Sequence, residues 1–250
     1  MSHVGGYGRL PDLPDQRDRQ FAQVPKPRAV VPASLDLRSK NYGIDDQGQL
    51  GSCVGHGTEG AFRNLLAHEG VADFAGSRLG LYYCARSIEH DTAQDAGAQI
   101  RDGVKAAANT GVMPEALWPY VESKFAQKPP QAAYAAATAH KAVEYLRVDN
   151  TDWDQIKSAL ATYGNLIIGI TAYDSFESEH TAKTGQLTMP KKNEKVVGGH
   201  CMRALGYTST HLIVANSWAA SWGDKGFCYM PKAYCLDPQL SSDWWVLRRA

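Results

Sequence analysis

Gln47-Gly48-Gln49-Leu50-Gly51-Ser52-Cys53 is the stretch that decides the fold of this chain. It is a glycine-rich turn that sets a cysteine where a helical pattern begins. A thiol at a helix N-terminus meets unpaired N–H groups and the positive end of the helix dipole, and both favour thiolate over thiol. Cys53 is therefore a candidate nucleophile, provided the chain supplies a base and a group to orient that base.

The helix that follows is predicted over Cys53–His68, with Ala61, Phe62, Leu65 and Leu66 on one face. Gly55, Gly57 and Gly60 weaken its intrinsic helicity by roughly 1 kcal/mol each. They make sense in a buried helix that another backbone approaches closely. Further helices are predicted over Ser77–Glu89 and over Gly97–Asn109 with Gly111 as its stop, and the alanine-rich Ala132–Lys141 reads as helical or turn-like. The character then changes. Ala142–Val148 alternates as a strand, and Thr151–Tyr163 is an amphipathic helix capped by Thr151 or Asp152 and stopped by Gly164. Leu166–Thr171 is a buried strand. A polar loop, Asp174–Lys195, precedes short strands at His200–Tyr207, His211–Ser217, Gly226–Met230 and Trp244–Arg248. The fold class is α+β: mainly helical over about residues 45–135 and mainly antiparallel β over about 140–250. A cleft between two unlike halves is the natural place for a ligand.

With 250 residues, 44% hydrophobic and 21% charged, the chain is long enough for one large domain or one domain of two halves. Its zero net charge gives no reason to expect nucleic acid or an anionic membrane surface. The longest apolar run, Leu166–Ile170, is far too short to span a bilayer. The N-terminus carries no Sec-type signal, so the expected location is cytoplasmic, with export by another route left open. Five scattered cysteines without a CxxC pair exclude a disulfide scaffold. The histidines and cysteines also lack metal-ligand spacing, so neither metal nor cofactor is expected. Residues 1–31 carry prolines and charges but no apolar period. They read either as a loose tail or as a strap lying on the surface, anchored by Tyr7, Leu10, Leu13 and Phe21. The compact domain runs from Pro32 to the end of the chain.

Among eight histidines, His200 has the best context for a base. It follows Val196-Val197-Gly198-Gly199 and opens a predicted strand, so its ring can stand at a sheet rim. Asn216 ends the apolar run Leu212–Ala215, where a buried amide needs partners, and the tryptophan at 218 can shield that contact from water.

Here the sequence resembles a family. Gln47–Cys53, then Gly199-His200 with Leu205-Gly206-Tyr207, then Val214-Ala215-Asn216-Ser217-Trp218-Ala219-Ala220-Ser221-Trp222-Gly223 with Gly226-Phe227, resemble in order and spacing the three signature blocks of the papain-like cysteine peptidases. Several independent blocks in order are a strong signal, and the sparse cysteines and short N-terminal extension look most like bacterial members. The resemblance implies a helical left half packed on an antiparallel, β-barrel-like right half, and a cysteine endopeptidase acting on peptide or protein substrates. It implies Cys53 as nucleophile paired as thiolate with His200 imidazolium, Asn216 orienting the imidazole, and Gln47 with the Cys53 N–H forming the oxyanion hole. It makes Trp218 the cover of the His–Asn contact and Trp222 part of the leaving-group side of the cleft. By the same resemblance Gly97 would be the backbone that pairs with substrate in β fashion, with Gly51, Ser52 and Gly199 joining it in the substrate-binding surface. The extension would act as a short propeptide, a zymogen strap kept extended by Pro11, Pro14, Pro25 and Pro27.

The chain departs from the family pattern at Val54, where a tryptophan is usual, at Leu50 in place of a disulfide cysteine, at Gly199 in place of an aspartate, and at Ala219 in place of a glycine. A papain-like fold that binds peptides without hydrolysing them is the alternative reading.

Overall fold

The computed structural model describes residues 5–25, 30–142 and 144–249. Lys26, Pro27 and Val143, which fall within predicted segments, lie outside that set. The turn 47–52 leads into α1 (Cys53–His68), and the predicted helix bounds hold. Gly48 makes the turn with a φ of +60°. Gly55 is required by close approach, since a Cβ there would stand 2.5 Å from the carbonyl oxygen of Arg78. That residue opens α2 (Arg78–Ile88), whose cap is Ser77, with its hydroxyl accepting from Gly80 N–H.

The third predicted helix starts later than its pattern suggests. α3 covers Ile100–Asn109, while Ala98–Gln99 form a short strand, β3. β3 pairs in parallel with β1 (Arg9–Leu10), so the N-terminal segment has taken these backbone groups. The alanine-rich stretch folds as α4 (Gln131–Ala137). β2 (Leu35–Asp36) pairs antiparallel with Gly206 and Tyr207 near the C-terminal end of the sheet's longest strand.

The remaining strands are β4 (Glu144–Val148), β5 (Leu166–Tyr173), β6 (Val196–Tyr207), β7 (His211–Ala215), β8 (Phe227–Pro231) and β9 (Ser241–Arg248). They form one antiparallel sheet in the order β4-β9-β5-β6-β7-β8. The sheet is open, with β4 and β8 at its ends, so the barrel-like description holds only loosely. α5 (Trp153–Tyr163) has the Asp152 cap and Gly164 stop expected of it. The polar stretch 174–195 is not all loop. It holds a 3-10 turn at Asp174–Glu177 and α6 (Glu179–Thr184), capped by Ser178. α7 (Lys232–Leu236) had no periodic signal, being little more than one turn long.

Strand alternation divides the core in two. On β5, β6 and β9, Ile167, Cys201, Trp245 and Leu247 face the helical cluster of α1, α2 and α3. Ile168, Met202, Ala204, Trp244 and Val246 face a second cluster with α5. Both faces are covered, so Trp244 and Trp245 are fully buried back to back. Replacing either by alanine should cost about 3–5 kcal/mol. This double burial fixes the sheet rim against the start of α1, which is where the site lies.

Candidate active site

α1 and the central strands bring the three signature blocks together. His200 lies within β6, not at its start, because the strand begins four residues earlier at Val196. Its backbone is paired with Ile170 of β5 and its ring is fully buried. The Nε2 atom of His200 lies 2.7 Å from Asn216 Oδ1, while Nδ1 has no partner. Asn216 follows β7 directly. Its Oδ1 also accepts from the Ser217 N–H at 2.8 Å, which fixes the amide plane. Trp218 is buried, its ring centred 5.0 Å from that of His200. Trp222 packs edge-on behind Trp218 and against Phe176. The wall that meets the strap is therefore Trp218, with Trp222 supporting it.

Gln47 is fully buried. Its Oε1 accepts from Ser217 Oγ at 2.6 Å, so the side chain is tied to the Asn216 turn. Its Nε2 donates to Leu50 O at 2.9 Å and to Gly6 O at 2.8 Å. The Ser52 hydroxyl is turned into the body toward Tyr120 Oη (2.6 Å) and His56 Nδ1 (3.3 Å), so its side chain supports the turn. Gly51 is held through its N–H by both oxygens of Asp95, at 3.1 and 3.0 Å.

The departures from the family pattern find local reasons. Val54 does not shape the cleft. It is buried under α3, where a Cβ on Gly103 would stand 2.7 Å from its Cγ1. Leu50 is buried in the helical core. Ala219 holds the left-handed conformation, φ +62°, that a glycine would adopt without strain.

The N-terminal segment runs across this site. Gly6 N–H donates to Gly48 O (3.0 Å) and Gly8 N–H to Gly199 O (3.2 Å), while Gly8 O accepts from Ala98 N–H (2.8 Å). Gly8 thus bridges the two walls of the cleft at Gly199 and beside Gly97. Gly97 has a φ of +81°, and a Cβ there would meet Gly8 O at 2.2 Å. The Tyr7 ring stands edge-on to His200 and Trp218, with its hydroxyl donating to Glu177 Oε1 at 2.8 Å. Of the four anchors predicted, Tyr7 and the buried Phe21 hold, whereas Leu10 and Leu13 face solvent. The other anchors are charged. Arg101 clasps Asp18 through Nε (2.9 Å) and Nη2 (2.6 Å), Trp245 Nε1 donates to Asp12 at 2.8 Å, and Arg9 is buried against Asp243. Composition hid this segment because its fixing contacts are ionic and backbone ones, without an apolar period.

Coverage sets the electrostatics. Burial pushes the Cys53 thiol up to about 11, against the opposing pull of the Cys201, Gly8 and Val54 N–H groups. Burial likewise pulls His200 down to about 4, with the Asn216 contact opposing. The helix N-terminus alone predicts a thiolate, but desolvation of a fully enclosed sulfur outweighs it. In this covered state both groups are neutral. All five cysteines are free thiols. Among the described residues there is no cluster of metal-ligating side chains, and no helix is long and apolar enough to cross a membrane.

The comparisons with known proteins agree with this geometry. The family model for papain family cysteine proteases matches residues 31–237. An uncharacterized peptidase C1-like protein of Acanthamoeba polyphaga mimivirus is 38% identical over 97% of this chain and 86% of its own length. The crystal structure of xylellain, a cysteine protease from Xylella fastidiosa, superposes with a TM-score of 0.90 at 31% identity, covering 100% of this chain and 98% of that one. Cathepsin K of Gallus gallus is 26% identical over 84% of this chain, which spans 61% of the cathepsin's length. The chain belongs to the papain family of cysteine proteases. It is a thiol protease of cysteine endopeptidase type, and its substrates are peptides or proteins.

Proposed function

We infer that Cys53, His200, Asn216 and Gln47 carry the hydrolysis, and that the N-terminal strap holds the site latent. The observation that supports the first is the His200 Nε2–Asn216 Oδ1 contact of 2.7 Å, which leaves Nδ1 unpartnered. A neutral imidazole so held can take the thiol proton on its free nitrogen. The Cys53 sulfur attacks the peptide carbonyl. The oxyanion is stabilised by the Gln47 amide and the Cys53 N–H. The imidazolium then protonates the leaving amine, and the acyl-enzyme is released by water that the same ring deprotonates.

Latency is supported by the strap's course across that machinery. Gly6 O takes the Gln47 amide, Gly8 bridges the cleft walls at Gly199 and Ala98, and Tyr7 lies against His200. Substrate and strap compete for one groove. Cys53→Ala should abolish peptide hydrolysis, and persistence of activity would overturn the assignment. Deleting residues 1–31 should raise the turnover of a fluorogenic peptide while circular dichroism stays unchanged. Equal activity with and without the strap would make it a structural element only.

A further inference from the structure

One strap residue past the thiol, a side chain enters the body of the protein. Gly8 N–H donates to Gly199 O, next to His200, at 3.2 Å, and the next residue, Arg9, has a side chain only 4% exposed. Its guanidinium Nη2 donates to Ser242 Oγ and to Asp243 Oδ2. The slot it fills is kept open by two glycines. A Cβ on Gly199 would lie 2.2 Å from Arg9 O and 3.4 Å from its Cδ, and a Cβ on Gly169 would lie 2.8 Å from its Nε.

The acid at the foot of the slot is built in before any ligand arrives. Asp243 is 4% exposed and sits at φ +59° on β9. Arg147 of β4 holds its other oxygen, Oδ1, at 2.7 Å. Oδ2 accepts from Ser242 Oγ at 3.2 Å and otherwise from Arg9 and the Asp12 N–H (3.0 Å), both of which belong to the strap. The second carboxylate nearby, Asp12, also belongs to the strap. When the strap lifts, Asp243 Oδ2 and Ser242 Oγ are the groups left facing an emptied slot beside the thiol.

The side of the cleft follows from the chemistry. His200 must protonate the leaving amine, so the flank formed by His200 and Trp218, where Tyr7 now lies, receives the leaving-group residues. Arg9 lies on the opposite, acyl flank. The step from Gly8 to Arg9 puts the slot one residue beyond the one at the thiol. We propose that Asp243 is a specificity-determining residue that selects arginine at the second substrate residue before the scissile bond, with Arg9 as the internal occupant of the same pocket. Lysine is one atom shorter and ranks below arginine there. This rests on the peptidase reading given above.

The test uses the full chain and three epoxide peptides that differ only in the second residue from the epoxide: arginine, its neutral isostere citrulline, or leucine. Labelling of Cys53 is followed by intact mass. The strap must open for all three, so the opening equilibrium cancels in the ratio of rates. The arginine probe should label about tenfold faster or more than either other probe. Asp243→Asn should bring the three rates together, and asparagine tolerates the left-handed backbone of that position. If that variant does not fold, the arginine-to-citrulline ratio on the unmodified chain decides alone. Equal rates, a leucine preference, or an arginine preference that survives in Asp243→Asn would overturn the pocket while leaving the peptidase standing. Labelling by none of the three would remove the peptidase reading and the pocket with it.

Discussion

The side-chain amide of Gln47 donates to the carbonyl oxygen of Gly6 at 2.8 Å. The donor assigned to a substrate oxyanion is thus given to a peptide carbonyl of the protein's own N-terminal strap. Two further contacts, to Leu50 O and from Ser217 Oγ, hold the amide in place through residues outside the strap. Such a donor is preorganised, which is what makes an oxyanion contact worth more in the transition state than in the ground state. In strap-released protein, Gln47→Ala should lower kcat by roughly 10²–10³ with a much smaller change in KM. Steady-state kinetics on a fluorogenic peptide reads this, and an effect confined to KM would count against the role.

The covered site makes a pH signature. The Cys53 thiol is pushed up to about 11 and His200 down to about 4, so between those values the intact chain holds a neutral thiol and a neutral ring. Thiolate is then a minor species whose fraction grows about tenfold per pH unit. At pH 7 alkylation of the intact chain by iodoacetamide should accordingly be about tenfold or more slower than that of strap-released protein, which should show an acid-side plateau from a thiolate–imidazolium pair. Equal rates with and without the strap would contradict the covered-state chemistry.

The strap should tighten as pH falls. Asp12 is raised to about 6 by burial and by Asp243, with the Arg101 backbone N–H, the Trp245 indole and the Arg101 charge opposing; Arg147 faces it at 3.7 Å. A carboxyl raised by docking binds its proton more tightly in the docked state. Its protonation therefore favours docking below about pH 6, and that contribution is lost as pH rises through this value. Arg101→Ala would leave Asp18 buried without its main partner, a change that typically costs about 3–5 kcal/mol. Hydrogen exchange of residues 5–12 should be slower at pH 5 than at pH 7 after correction for intrinsic rates, and fast at both in Arg101→Ala. Exchange that ignores both changes would remove the ionic anchoring from the account.

What could be read from the residues alone followed from periodicity and motif. The Cys53–His68 helix and the strands around His200 and Asn216 were legible because apolar spacing and polar punctuation are local signals, whereas Gln47 was singled out only through the family resemblance. Three things were not legible. β3 is strand where helix was expected, because strap residues Gly8 and Arg9 pair with Ala98, a contact far apart in sequence. The Ser52 hydroxyl's partner, Tyr120, lies 68 residues away, a contact no local pattern announces. Arg9 and Asp243 lie 234 residues apart, and nothing in either neighbourhood announces an ion pair. Long-range polar contacts carry no period.

Ala219 offers a stability test away from the chemistry. It occupies φ +62°, where a Cβ costs roughly 1–2 kcal/mol. Glycine relieves this but loses more entropy on folding, so Ala219→Gly should stabilise the protein by a net of about 0.5–1 kcal/mol. Urea unfolding measures it, and a clear destabilisation would show that the methyl group makes contacts that outweigh its strain.

The central claim is that Cys53 is a nucleophile activated by His200. The most direct measurement is covalent: incubate the full chain with a peptidyl epoxide and map the adduct by mass spectrometry. One label per chain on Cys53, lost in His200→Ala, is the predicted result. Label spread over other cysteines, or label on Cys53 that forms equally fast in His200→Ala, would contradict it.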